Sequence, residues 1–251
     1  MPSTYPSPFF DNQKSMACNF THQPLAQASG ATAVPATTIN TFNQWMVNGN
    51  YFECYNTTAS TAAMPTMGTG ANNGLNIDTI TGASGKTIEI TTGNNVGCLF
   101  AFGSRTAAIY CRATFNINTL ANVTSLYIGF RKQQTYQATI PTGYTDYATF
   151  GVSGAAGKLQ SQTQLASGGN VVTDSTNVVT AGTNFTVQVN VDASGNVTYL
   201  RDILGNGPLI APTSVAAYQF GAGLTIIPYI IYTTVTSHSE VDLVNFCCGF
   251  Q

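Results

Sequence analysis

Residues 184–202, NFTVQVNVDASGNVTYLRD, constrain the fold more than any other stretch of this chain. Phe185, Val187, Val189 and Val191 alternate with Thr186, Gln188 and Asn190. Period-two alternation gives a pleated strand one apolar and one polar face. Asp192 to Asn196 (DASGN) follows, built of residues that accept positive φ or bond their own backbone. Val197 and Tyr199, on the other side of Thr198, then resume the alternation. The pattern predicts a β-hairpin. A hairpin with one apolar face must bury it against a second layer, so a layered β-protein is expected.

Further strand signals recur along the chain. Leu75 to Ile80, Thr87 to Thr92 and Val96 to Phe102 are separated by GASGK and GNN turns. Ala107 to Ile117 carries Ile109, Cys111, Ala113, Phe115 and Ile117 on one face. Leu126, Ile128 and Phe130 mark the next strand, and Ala148, Phe150 and Val152 another. Leu159 to Leu165, Thr225 to Thr234 and Val241 to Phe250 complete the set. No stretch keeps helical spacing over three turns. Many short, evenly punctuated strands predict an all-β, antiparallel two-sheet β-sandwich of jelly-roll type.

The apolar spacing shows no boundary after residue 40, so one sandwich domain over 41–251 is expected. Asn40 to Tyr55, with Trp45, Tyr51, Phe52 and Tyr55, begins that body. Residues 1–40 carry Pro2, Pro6, Pro8, Pro24 and Pro35 and show no periodicity. They read either as a disordered tail or as an extended arm that orders by lying on a neighbour. Tyr5, Phe9, Phe10 and Phe20 would anchor such an arm.

Charge bears on function. Only 7% of residues are charged, against roughly 25% in ordinary globular proteins. The surface is therefore hydroxyl- and amide-rich, which suits contact with other subunits or with sugars. Eight basic residues against ten acidic, with Arg131-Lys132 the only adjacent basic pair, exclude nucleic-acid binding. No apolar run approaches the roughly 20 residues that span a bilayer as a helix, and the N-terminus shows no secretory signal pattern.

No catalytic set assembles from the sequence. His22 and His238 are the only histidines, and Gly82-to-Gly85 and Gly151-to-Gly154 are ordinary turns, without a GxSxG elbow. The six cysteines form no CxxC pair, so neither a zinc site nor a disulfide scaffold is expected. Of the neighbours Cys247 and Cys248, only one can face the core of a strand. Asp192 with Asn196, and Asp174 with Asn177, could each offer a cation two ligands, but both pairs read as turn chemistry. No metal, catalytic residue or cofactor is expected. For sugar stacking, Tyr144 and Tyr147 in the loop TGYTDYA are the candidates, with Trp45 behind them. Asn-x-Ser/Thr triplets at Asn19, Asn56, Asn122, Asn184 and Asn196 mean little in so Asn- and Thr-rich a chain.

Two resemblances add to these readings. Glu240-Val-Asp242 places two carboxylates on a predicted strand, and in this it is similar to concanavalin A-like jelly rolls. The glucanases among those carry a further Glu beyond the pair; here Val244, Asn245 and Phe246 follow instead, so hydrolysis is not expected. Residues 105–251 resemble jelly-roll virion proteins of tailed bacteriophages, most distinctively in GFRK at 129–132, YQA at 136–138 and ASGNVTY at 193–199. That resemblance implies a non-enzymatic structural protein on the outer surface of a virion. One form is a capsid decoration or cement protein that binds the major capsid protein and copies of itself, with a homotrimer expected. The other is a tail-fibre module that recognises cell-surface glycans.

Overall fold

A computed structural model describes residues 15–19, 41–47, 50–56, 66–67, 74–77, 85–91, 100–101, 108–235 and 240–251. Two antiparallel sheets account for nearly all of the regular structure among them. The first joins β1 (Ser15–Asn19), β4 (Thr66–Met67), β5 (Leu75–Asn76), β8 (Ile109–Ile117), β13 (Phe185–Val191), β14 (Val197–Asp202) and β16 (Val241–Phe250). Its order is β14-β13-β8-β16-β5-β4, with β1 also on β16. The second contains β2 (Thr41–Val47), β3 (Asn50–Asn56), β6 (Thr87–Thr91), β7 (Phe100–Ala101), β9 (Val123–Lys132), β10 (Tyr147–Ser153), β11 (Lys158–Gln164), β12 (Val171–Val178) and β15 (Thr225–Thr234). Its order is β12-β11-β10-β9-β15-β6-β3-β2, with β7 also on β15. A single 3-10 turn at Leu120–Asn122 is the helical content among the described residues. No helix there is long and apolar enough to cross a membrane.

The expected hairpin forms as β13 and β14, and Phe185, Val187, Val189 and Val191 are all buried in the inter-sheet core. Opposite them stand Leu126, Ile128 and Phe130 from β9 and Phe150 and Val152 from β10. Phe150 meets Tyr199 across the layers, ring centroids 5.3 Å apart. In the turn, the Asp192 carboxylate accepts the N–H groups of Ser194 and Asn196 and the Asn196 side-chain amide, each at 2.8 Å. Gly195 holds φ 89°, a conformation that glycine adopts without the steric cost a side chain would bring.

β15 is apolar on both faces because both are covered. Ile226, Ile230 and Tyr232 face the sandwich core, while Tyr229 and Ile231 face a second cluster outside the sheet. Pro228 has no N–H for the ladder, and it falls where the flanking strand changes from β7, paired at Ile226, to β6, paired at Tyr229.

Three expectations shift. Residues 15–19 of the expected arm pair with β16 of the same chain, opposite Asn245 to Gly249, so sheet building reaches into the arm. Residues 171–178, within which Asp174 and Asn177 read as a turn, form edge strand β12, with Thr176 at φ 63° where its pairing with β11 is irregular. Cys248 lies in the core as one of the pair must, but Cys247 on the opposite face is buried too. Both are free thiols.

Candidate functional site

The outer face of the nine-stranded sheet carries the densest polar chemistry. Tyr127, Gly129 and Arg131 of β9 point away from the core, in the opposite phase to Leu126, Ile128 and Phe130. Thr87, Glu89 and Thr91 do the same on β6, alternating with Ile88 and Ile90. Over this face folds the loop 133–146, which includes a cis Ile140-Pro141 bond. Tyr136, Ile140 and Tyr144 of that loop close on Tyr55, Tyr127, Tyr147, Tyr229 and Ile231 as a second core.

At its centre lies a buried ion pair. Arg131 Nε donates to Glu89 Oε1 at 2.6 Å, and both side chains are wholly shielded from solvent. Tyr144 donates its hydroxyl to the other Glu89 oxygen. The Arg131 guanidinium lies 4.3 Å from the Tyr144 ring centroid, within cation–π range. Its Nη1 donates to the carbonyls of Lys132 and Gln134 at the root of the loop. Desolvation works against the charged guanidinium, but the Glu89 carboxylate prevails and raises the Arg131 pKa. Burial, and then the charge on Glu89, pushes Tyr55 up to about 12 and carries Tyr144 well above its ordinary value. Glu89, Arg131 and Tyr144 are thus held together by mutual pairing.

Beside the loop runs a groove of about 570 Å³. Its floor is made by Thr87, Ser125, Tyr127 and Thr233, with Gln160 and Gln162 on the β11 side. Ala138 to Thr142 form the wall contributed by the loop, and Val172 of β12 closes the far rim. Thr87 and Thr233 share a hydrogen bond at 2.8 Å. No lining residue carries a charge or a nucleophilic thiol, so the groove can offer hydroxyls, amides and one aromatic ring and no acid–base pair.

The residues singled out from the sequence fall unevenly. Tyr144 and Tyr147 are fully buried, so neither ring is a solvent-facing platform. The loop folds inward because Glu89 offers Tyr144 an acceptor, while Tyr147 donates to Asn170 Oδ1 at 2.8 Å. Trp45 lies in β2 opposite Phe52, and its side chain is outside the described residues, as are Tyr5, Phe9, Phe10, Phe20, His22 and His238. Glu240 stands before β16 in a left-handed conformation, φ 47°, so it and Asp242 do not present one exposed strand face. Asp242 is buried, and desolvation followed by the Glu240 charge raises its carboxyl to about 6. Asp174 is taken by Lys158 Nζ at 2.7 Å and by the Thr176 N–H, which is turn and ion-pair chemistry.

Sequence reasoning passed over Glu89, Arg131, Gln160 and the β6–β15 threonines. The signal available for the first two was scarcity alone: charges are few in this chain, and each of these sits inside a strand, Glu89 between Ile88 and Ile90 and Arg131 after Phe130.

No family model and no curated protein matches this chain by sequence. Solved structures do match. A protein of unknown function, SO2946 from Shewanella oneidensis MR-1, covers 98% of this chain and 96% of its own at 10% identity, with a TM-score of 0.53. The Ca2+-bound exoplasmic/lumenal domain of VIP36 covers 96% and 91% at 7% identity and 0.51. Arcelin-5, a lectin-like defense protein from Phaseolus vulgaris, covers 95% and 99% at 8% identity and 0.50. At such identities the likeness is one of fold, and the fold is the lectin-like, concanavalin A-like sandwich of two antiparallel sheets.

Proposed function

We propose that this chain is a non-catalytic carbohydrate-binding module, and that the groove beside the 133–146 loop is its binding site. The observation that carries the reading is the groove's lining of hydroxyls and amides without a charge. Sugar hydroxyls are both donors and acceptors, and Ser, Thr and Gln side chains answer them in kind. A charge-free lining avoids the desolvation penalty that a neutral ligand would impose on a buried ion. Arcelin-5 is described as lectin-like, a property of that protein that agrees with this reading.

The test is a glycan array followed by calorimetric titration of the hits. Gln160→Ala should weaken binding about tenfold, the equivalent of a well-made hydrogen bond. Thr124→Trp, at an exposed position on the groove, should abolish binding with the melting temperature unchanged. Binding that survives Thr124→Trp would remove the groove from consideration.

A second reading, a virion structural subunit such as a capsid decoration or cement protein, is favoured by the edge strand β12. It pairs only with β11 among the described residues, and Val171 and Val178 on it are about half exposed, as is Leu165 beside it. Open, apolar edges invite pairing with another chain. On this reading the protein should be larger than a monomer by light scattering, and Val171→Lys with Val178→Lys should dissociate it. A wild-type monomer at high concentration would contradict it.

A further inference from the structure

We propose that a hard divalent cation of the Ca2+ type binds on the outer face of the seven-stranded sheet, held by both carboxylate oxygens of Asp242 and the side-chain oxygen of Asn116. Asp242 of β16 is the direct cross-strand partner of Asn116 on β8 and of Asn76 on β5. Directly opposed residues point to the same side of a sheet, about 4.5–5.5 Å apart at Cβ. Leu75, Phe115 and Leu243, each next in sequence to one of the three, are in the sandwich core, so the row of oxygen-bearing side chains faces outward.

Outward does not mean solvated. Asp242 is 1% exposed and Asn116 is 2% exposed. Gly74 roofs the carboxylate so closely that a Cβ there would sit 2.8 Å from Asp242 Cβ. Neither Asp242 oxygen has a hydrogen-bond partner, nor does Asn116 Oδ1. The Asn116 amide is oriented from the other side: its –NH2 donates to Gly182 O at 3.1 Å and Asn184 Oδ1 at 2.9 Å, toward β13. That turns Oδ1 toward β16 and Asp242. The nearby Glu240, whose carboxylate accepts from Asn118 Nδ2 at 3.2 Å, adds negative field and no donor.

Three buried acceptors left without a hydrogen-bond partner cost several kcal/mol unless something positive joins them. A proton on Asp242 would satisfy one contact, an O–H to Asn116 Oδ1, and leave the other carboxylate oxygen bare. A cation engages all three oxygens together. The donors are oxygen only, so the set suits a hard ion and not zinc. Ca2+ takes six to eight oxygens, so water or backbone carbonyls would complete the shell.

The experiment uses the full chain, stripped with chelator and melted at neutral pH with and without millimolar CaCl2, alongside calorimetric titration with the metal alone. Ca2+ should raise the melting temperature by several degrees and titrate to one site per chain. Asp242→Asn should abolish the shift, yet be at least as stable as the wild type in chelator, because the uncompensated charge is gone. Asn116→Ala should lower Ca2+ affinity about tenfold or more, which reads the site independently if Asp242→Asn fails to fold. Asp192→Asn should leave the shift intact. No heat and no shift, with the wild type instead gaining stability on mild acidification, would assign the site to a proton and overturn the proposal. A full Ca2+ shift retained in Asp242→Asn would overturn it equally.

Discussion

Replacing Arg131 by methionine should lower the unfolding free energy by about 3–5 kcal/mol, the usual cost of leaving one partner of a buried ion pair uncompensated. Glu89 would remain a fully shielded carboxylate, keeping the Tyr144 hydroxyl and losing its positive partner. The same change removes two hydrogen bonds that hold the Lys132 and Gln134 carbonyls, so the 133–146 loop should loosen before the sandwich core melts. The double variant Glu89→Gln, Arg131→Met should recover much of the loss, since no uncompensated charge then remains. Denaturant titration of the wild type and the three variants gives the cycle. A single variant as stable as the wild type would mean that the pair does not anchor the loop.

A comparable loss is expected from Gly151→Ala, for a steric reason. β9 and β10 approach so closely there that a Cβ on Gly151 would stand 2.0 Å from the Leu126 carbonyl oxygen and 2.8 Å from Tyr127 Cα. Both contacts are backbone, so no side chain can swing aside. The strands must part, which breaks ladder bonds between the two central strands that carry the outer-face tyrosines. Overpacking of this kind costs roughly 1–3 kcal/mol, and a backbone clash belongs at the top of that range. Thermal melting of Gly151→Ala beside Gly154→Ala separates the effect of space from that of turn conformation. At Gly154 nothing lies within 4 Å of a Cβ, and only its φ of 70° opposes a side chain. Equal melting temperatures for Gly151→Ala and the wild type would refute the close approach.

These two sites also mark what could and could not be read in the chain. The β13–β14 hairpin was legible because one of its faces is buried and the other polar, so burial wrote itself into the alternation. β15 and β16 were legible to the residue, Thr225–Thr234 and Val241–Phe250, because their apolar runs end where the covering layers end. The role of Tyr144 was not legible. A loop aromatic looks the same whether it faces solvent or folds onto a sheet, and what decides is Glu89, 55 residues away in sequence. The Glu89–Arg131 pair joins strands that are both neighbours of β15 and not of each other, so no local spacing announces it. Gln160 and Thr87 line the groove only because the loop closes a wall opposite them. Asp242 attracted notice for its spacing from Glu240, whereas its environment comes from Asn116 and Asn76 across the ladder.

The reading of the outer face as a carbohydrate site is tested most directly by an amide-resolved NMR titration with an oligosaccharide drawn from the glycan array. Saturable shifts should concentrate on Thr87, Ser125, Thr139, Gln160 and Thr233, with the Gln160 side-chain amide among the largest. Shifts confined to the β12 edge or to the opposite sheet, or no glycan that produces any, would contradict it.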